Sequence, residues 1–331
     1  MRTVFGDLMK AAFLGLVMPW LMLSGVIFIR QEQPEPEPQT VQTTVEDPGD
    51  IWILVRNADG SVLEQPLESY LVGVVLAEMP GSFEPEALKA QAVAARTYTC
   101  KALRTGGKHG DGSVCKASSC CQAWMEETEY ASRGGEDAAL SRIHQAVQDT
   151  AGWVLTYGDE LIEATYFSCS GGTTEDAAAV WGTEFPYLIS VSSPGEEKAA
   201  WYEDTVAFSP KGFQEALGQE FSGSPESWFG LTEYTKGGGV KSMFISGQPF
   251  TGIQLRSLLN LRSTAFWAEV KNGQILIHTK GYGHRVGMSQ YGADAMAVGG
   301  SSWQEILAHY YPGTTPKRLI LDENGELVYD Q

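Results

Sequence analysis

Residues 71–98 read LVGVVLAEMPGSFEPEALKAQAVAARTY, and this stretch sets the fold class. An apolar run closes on Glu78, and Pro80-Gly81 breaks the chain. Pro85 then opens a second run in which Leu88, Ala92, Ala95 and Thr99 recur near the helical period, among alanines small enough for close packing. The pattern predicts two successive helices, about 68–79 and 85–103, joined by a tight reversal. Working outward, IWILVRN from Ile51 reads as a strand with its turn at Asp59-Gly60, and SVLEQPL leads into the first helix. A third helix is expected over about 135–150 with Leu140, Ile143, His144 and Val147 on one face, which places His144 on the core side.

Beyond Ala151 the pattern turns to strands. GWVLTY and LIEATYFS flank Gly158-Asp159 as a hairpin, VKSMFIS is a further strand, and FWAEVKN and QILIHTK flank an Asn272-Gly273 turn. Short helices are expected over 212–217, 252–261, 289–298 and 302–310. Helices mixed with antiparallel hairpins, without regular alternation, predict an α+β fold: a single large domain over 51–331 with a substrate cleft.

Composition narrows the function. The 331 residues carry 41 acidic against 23 basic side chains, a net charge of −18. Phosphate affinity needs clustered Lys and Arg, so no nucleic-acid partner is expected. With 43% hydrophobic and 11% aromatic residues the chain has ample material for a core. Five cysteines cannot all pair internally, so at least one thiol is free, metal-bound or intermolecular.

Residues 11–29 hold no charge, and as a helix they span ~28 Å, about a bilayer core. Arg2 and Lys10 precede them and the Pro/Glu-rich tract 30–50 follows, which predicts a cytosolic N-terminus at 1–10, an uncleaved transmembrane anchor, an acidic linker and an extracytoplasmic domain. A cleaved signal peptide is the competing reading.

Several side chains are placed to do chemistry. Glu78 ends an apolar helix, where the helix dipole and an apolar wall both favour a protonated carboxyl, as a general acid requires. A surface Glu beside a chain reversal is the plainer alternative. Arg96 either binds an anionic or polyhydroxylated ligand or pairs with a structural carboxylate. In KHGDGSVCKASSCCQAW, His109, Cys115, Cys120 and Cys121 supply the soft donors of a closed structural zinc site. A disulfide within Cys115, Cys120 and Cys121 competes in an oxidising compartment. Cys100 and Cys169 read as buried thiols. YFSCSGGTTED at 166–176 and GYGHRVGMSQYGA at 281–293 are Gly-rich loops without phosphate-loop or nucleophile-elbow patterns.

Together, in order, the 71–98 stretch, AVQDTAGWVLTY, YFSCSGGTTEDAAAVWG with PYLISV, and GYGHRVGMSQYGA resemble the stage II sporulation protein D family of endospore formers. The resemblance covers about 70–292. It implies a membrane-anchored lytic transglycosylase that acts on peptidoglycan during forespore engulfment, in the mother-cell membrane facing the forespore. In such an enzyme the Glu matching Glu78 protonates the glycosidic oxygen between N-acetylmuramic acid and N-acetylglucosamine. It then takes the proton of the muramoyl 6-hydroxyl, leaving a 1,6-anhydro end, so one carboxylate suffices and no catalytic cofactor is needed. Glu175 and Asp176 stand in reserve for an ordinary two-carboxylate glycosidase.

The resemblance also assigns Arg96 to the cleft and makes Gln91, Tyr166, Ser168, His284, Ser289 and Gln290 candidate sugar contacts. It supports zinc at His109, Cys115 and Cys121, with Cys120 where a second His is expected. The implied partners are glycan strands already stripped of peptide, the amidase stage II sporulation protein P and the membrane protein stage II sporulation protein M. A second function comes from related sequences: a non-catalytic peptidoglycan-binding module that stimulates an amidase. A zinc hydrolase at the Cys/His loop is a third, disfavoured because three thiolates leave no open coordination position.

Overall fold

The helix pair read from 71–98 is the spine of the computed structural model, which describes residues 50–322 and 327–329. The helix α1 (Leu67–Glu78) is apolar around most of its circumference and correspondingly buried. It stops where Met79 turns extended. The next helix, α2 (Pro85–Thr105), starts on a proline, whose missing N–H is no loss in a first turn, and ends on Gly106 in the left-handed conformation.

Ahead of them β1 (Trp52–Arg56) and β2 (Val62–Pro66) form an antiparallel hairpin, so SVLEQPL is itself a strand before it enters α1. Beyond α2, β3 (Val114–Cys115) runs parallel to β1. The helices α3 (Glu127–Ser132) and α4 (Asp137–Asp149) follow. On α4 the buried face is Ala139, Ile143, Ala146 and Val147. His144 does not join it: its Nε2 lies 2.9 Å from Glu127 Oε1, with the side chain about half exposed. The expectation of a core-side His144 is therefore corrected, since the contact with the Glu127 carboxylate on α3 holds the ring at the rim.

The strands β4 (Trp153–Tyr157) and β5 (Glu160–Leu161) make the hairpin expected at Gly158. It is shorter than predicted. The segment β6 (Tyr166–Phe167) leaves it and pairs in parallel with the distant β13 (Met288–Ser289), so the two Gly-rich loops are laid side by side. Between them come α5 (Ala177–Trp181), β7 (Glu203–Phe208), α6 (Pro210–Leu217), β8 (Phe229–Tyr234), β9 (Val240–Ile245), β10 (Gln248–Thr251), α7 (Gly252–Leu258), β11 (Ala265–Lys271) and β12 (Gln274–Lys280). The Asn272-Gly273 turn is as expected, both residues having positive φ. After β13 the chain ends in α8 (Gln290–Val298), α9 (Trp303–Tyr310), β14 (Thr315–Leu321) and β15 (Leu327–Tyr329).

The architecture is α+β with mostly antiparallel sheets, as predicted. Within one compact unit it holds two hydrophobic cores. The larger packs α1, α2, α4 and α9 with β4. The smaller is built from Phe213, Trp228, Met243, Leu255, Phe266 and Ile277, between the sheets β11-β12-β7 and β10-β9-β8. Among the described residues no helix is long and apolar enough to cross a membrane. The expected anchor at 11–29 and the linker up to residue 49 lie outside the described residues.

Candidate functional site

Glu78 is the last residue of α1 and lines a cavity of about 920 Å³. Its carboxyl is held above the ordinary glutamate range by burial, opposed by hydrogen bonds from the Ala123 N–H and the Gln290 amide. The Ala123 bond is 2.8 Å. A half-buried carboxyl whose proton is held more tightly than usual is suited to give that proton up and take one back.

The loop that carries Ala123 lies against α1 because residue 73 is glycine. A Cβ there would sit 2.2 Å from Trp124 Nε1, and the Gly73 carbonyl accepts the Met125 N–H at 3.0 Å. Any larger residue at 73 would have to displace the Trp124 indole. In the same loop Gln122 accepts the Tyr166 hydroxyl at 2.8 Å and donates to Thr99 Oγ1 at 2.9 Å. Burial keeps the Tyr166 phenol well above its usual pKa, so it remains a donor.

The opposite wall comes from the paired Gly-rich loops. Gly287, with positive φ, passes so close to the Thr165 carbonyl that a Cβ would approach its oxygen to 2.0 Å. That close approach fixes Tyr166, Ser168 and His284 on one side of the cavity. His284 is held at about 4 by burial and the nearby Arg256 charge, hence neutral at pH 7, and its Nδ1 accepts the Val286 N–H at 3.1 Å. Trp181 and Tyr282, 43% and 40% exposed, also line the cavity. Trp181 stands against His284, and Tyr282 against Trp201 and Arg262. Exposed rings buttressed in this way are flat platforms for sugar faces.

Of the residues singled out in the sequence, Glu78, Tyr166, Ser168, His284 and Gln290 meet at this cavity, with Cys120 and Cys121 at its edge. Of the candidate catalytic and sugar-contacting residues, three do not line it. Arg96 is fully buried and donates to Glu68 at 2.9 and 2.5 Å and to the carbonyls of Trp153 and Val147 at 3.2 Å each. It occupies the structural pairing weighed against a cleft role, because Glu68 on α1 faces it. Ser289 is buried as the N-cap of α8, where it accepts the Gly292 N–H. Gln91 is buried behind Gln290, 3.5 Å from its amide.

The reserve carboxylates are also elsewhere. Glu175 is buried and accepts from Thr235, the Gly239 N–H and Arg285. Asp176 accepts the Ser190 N–H beside a different cavity. The second carboxylate that does line the Glu78 cavity is Glu163, which sequence reasoning missed. It pairs with Lys101 at 3.0 Å. Tyr98, a polar group among the alanines of α2, lines it as that pattern suggests, whereas Gln122, Trp181 and Tyr282 were missed; for Trp181 and Tyr282 the signal was available, aromatic residues in or beside the Gly-rich loops.

His109, Cys115, Cys120 and Cys121 converge, their donor atoms all within 4.8 Å of one another. His109 Nε2 lies 3.7 Å from Cys120 Sγ and 3.6 Å from Cys121 Sγ, and the two sulfurs are 3.9 Å apart. A tetrahedral zinc with ordinary bond lengths sets edges of ~3.6 Å between nitrogen and sulfur and ~3.8 Å between sulfurs. The donor set therefore fits zinc. No disulfide joins any of these cysteines, since a bonded pair would stand ~2.05 Å apart. Cys100 and Cys169 are buried free thiols, as read from sequence, both pushed up to about 12 by burial.

Comparison with known proteins agrees with the motifs. The Stage II sporulation protein (SpoIID) family model matches residues 56–157. The chain is 41% identical over 262 residues, 78% of its own length and 76% of the relative's, to Stage II sporulation protein D of Bacillus amyloliquefaciens. Identity to that of Bacillus subtilis is 40% over 264 residues, with the same coverage. It is also 30% identical over 298 residues to the Amidase enhancer of Bacillus subtilis, of which it spans only 40%. On this identity across most of both chains, the protein belongs to the stage II sporulation protein D family, whose sequences are related to the amidase enhancer.

Proposed function

We propose that the protein is a peptidoglycan lytic transglycosylase with Glu78 as its single acid/base, acting in forespore engulfment. The observation that carries this reading is the Glu78 carboxyl: half-buried, raised above its usual pKa, and set in a cavity with neutral donors and exposed aromatic rings. Protonated Glu78 gives its proton to the glycosidic oxygen as the bond to the muramoyl C1 breaks. The resulting carboxylate faces the sugar cation and takes the proton of the muramoyl 6-hydroxyl as that oxygen closes on C1. The Ala123 N–H and Gln290 amide stabilise the carboxylate between the two transfers. Glu163 is neutralised by Lys101, which argues against a second carboxylate that activates water.

A zinc held by His109, Cys115, Cys120 and Cys121 would supply cross-linking of the loop, not reaction chemistry. In this reading residues 11–29 anchor the chain with its domain outside, and the partners are stripped glycan strands, the amidase stage II sporulation protein P and stage II sporulation protein M. A second reading, a non-catalytic activator of a cell-wall amidase, is favoured by the amidase enhancer relative. The separating experiment compares wild type with Glu78→Gln on isolated glycan strands and on amidase turnover. Cleavage lost in the variant supports catalysis, and cleavage retained overturns it. Amidase stimulation without cleavage by either protein selects the second reading.

A further inference from the structure

A second cavity, of about 950 Å³, adjoins α5. Ala178 and Ala179 line it, whereas Trp181 of the same helix lines the Glu78 cavity, and Phe185 borders both. The two spaces therefore adjoin across a thin wall made by α5 and the loop after it. The floor is apolar, with Pro186, Leu188 and an Ile189 that is 43% exposed.

The rim is the β8–β9 hairpin, which brings Lys236 from its turn and Lys241 from β9 to the cavity. Neither lysine has an ion pair among the described residues, whereas Lys89, Lys101, Lys211, Lys271, Lys280 and Lys317 do. A cation left without a carboxylate in a protein of net charge −18 is available to a ligand. The cavity also holds two carboxylates, Asp176, which accepts the Ser190 N–H, and Glu184, and neither forms an ion pair with Lys236 or Lys241 among the described residues.

From this placement we infer that the cavity is a subsite for a carboxylate carried by the glycan, with Lys236 and Lys241 as its reading residues. The inference rests on the glycan-cleaving reading for its ligand. Two sources supply that chemistry: the lactyl carboxylate that muramic acid exposes once its peptide amide is cut, and the carboxylates of an attached peptide. In the first case the reaction that supplies this substrate is hydrolysis of the sugar–peptide amide. The apolar floor suits the methyl of a lactyl group or of an alanyl residue.

The test uses the full-length chain carrying Glu78→Gln, so that ligands survive, and titrates three probes. They are a chitotetraose, a muramic-acid tetrasaccharide with free lactyl groups, and the same tetrasaccharide with its peptides attached. Two exposed charge pairs predict about fivefold tighter binding of a carboxylate-bearing probe than of chitotetraose at low salt, declining as salt rises. K236Q/K241Q should bring that ratio to about one, leaving chitotetraose binding unchanged, and Glu184→Gln should raise it. The tighter of the two acidic probes identifies the carboxylate source. An unchanged ratio in K236Q/K241Q, or equal affinity for all probes, overturns the subsite. Lysine-dependent binding of the acid, in a chain whose wild type cleaves no glycan, would retain the subsite and remove the catalytic reading instead.

Discussion

Replacing Arg96 by methionine separates a framework role from a chemical one. The guanidinium, with no exposed surface, makes a two-pronged contact with Glu68 at 2.9 and 2.5 Å and reaches two main-chain carbonyls at 3.2 Å. Removing one member of a buried ion pair costs about 3–5 kcal/mol, because the partner loses its compensation. Glu68 retains 33% side-chain exposure, so water can reach the abandoned carboxylate, and the expected loss lies near the lower bound, about 3 kcal/mol. Methionine fills much of the volume, which limits any cavity contribution.

The assay is urea unfolding of Arg96→Met, Glu68→Gln and the double variant, with glycan cleavage measured per folded molecule. The double variant should be less destabilised than the sum of the singles, since the two side chains share one interaction. Cleavage per folded molecule should stay within a few-fold of wild type. A wild-type unfolding midpoint in Arg96→Met together with abolished cleavage would refute the framework role and return Arg96 to the chemistry.

Glu78→Gln should be more stable than wild type at pH 7. The folded carboxyl binds its proton more tightly than the unfolded one, so its contribution is full below the unfolded pKa and is lost as pH rises through the folded pKa. The thermal midpoint of the variant should therefore exceed that of wild type at pH 7 and converge with it below pH ~4. Chelation, or Cys121→Ser, should lower the thermal midpoint and speed hydrogen exchange of the 118–125 backbone, the Ala123 amide included, read by mass spectrometry. Unchanged exchange would mean that the cluster does not secure this loop. Ser289→Ala should cost about 1 kcal/mol as a lost helix cap and leave KM for glycan unchanged. A raised KM at wild-type stability would restore Ser289 as a sugar contact.

Much of this organisation is legible locally. Pro85, Gly106, Ser209, Thr251 and Ser302 mark helix ends through their own backbone or capping chemistry, and Asn272-Gly273 marks a hairpin. The cluster of His109 with three cysteines is legible because four soft metal-ligand side chains fall within thirteen residues. What escaped sequence reasoning depends on distant partners. Tyr166-Phe167 has the alternation of a hairpin strand, but its register is set by Met288-Ser289, more than a hundred residues on. His144 has helical spacing for the core, yet Glu127 decides its orientation. Glu163 and Trp181 line the Glu78 cavity through tertiary structure that joins segments far apart in the sequence. Arg96, Gln91 and Ser289 lie in the right motifs, one layer behind the residues that line the cavity.

The central claim is that Glu78 drives an intramolecular displacement. The most direct measurement is cleavage of peptide-stripped glycan strands by the full-length chain in ¹⁸O-labelled water, with mass analysis of the new ends. Wild type should give 1,6-anhydromuramic ends free of ¹⁸O, and Glu78→Gln should give no new ends. Reducing ends carrying ¹⁸O would contradict it, because water would then be the nucleophile and a second carboxylate, Glu163 first among them, would have to activate it.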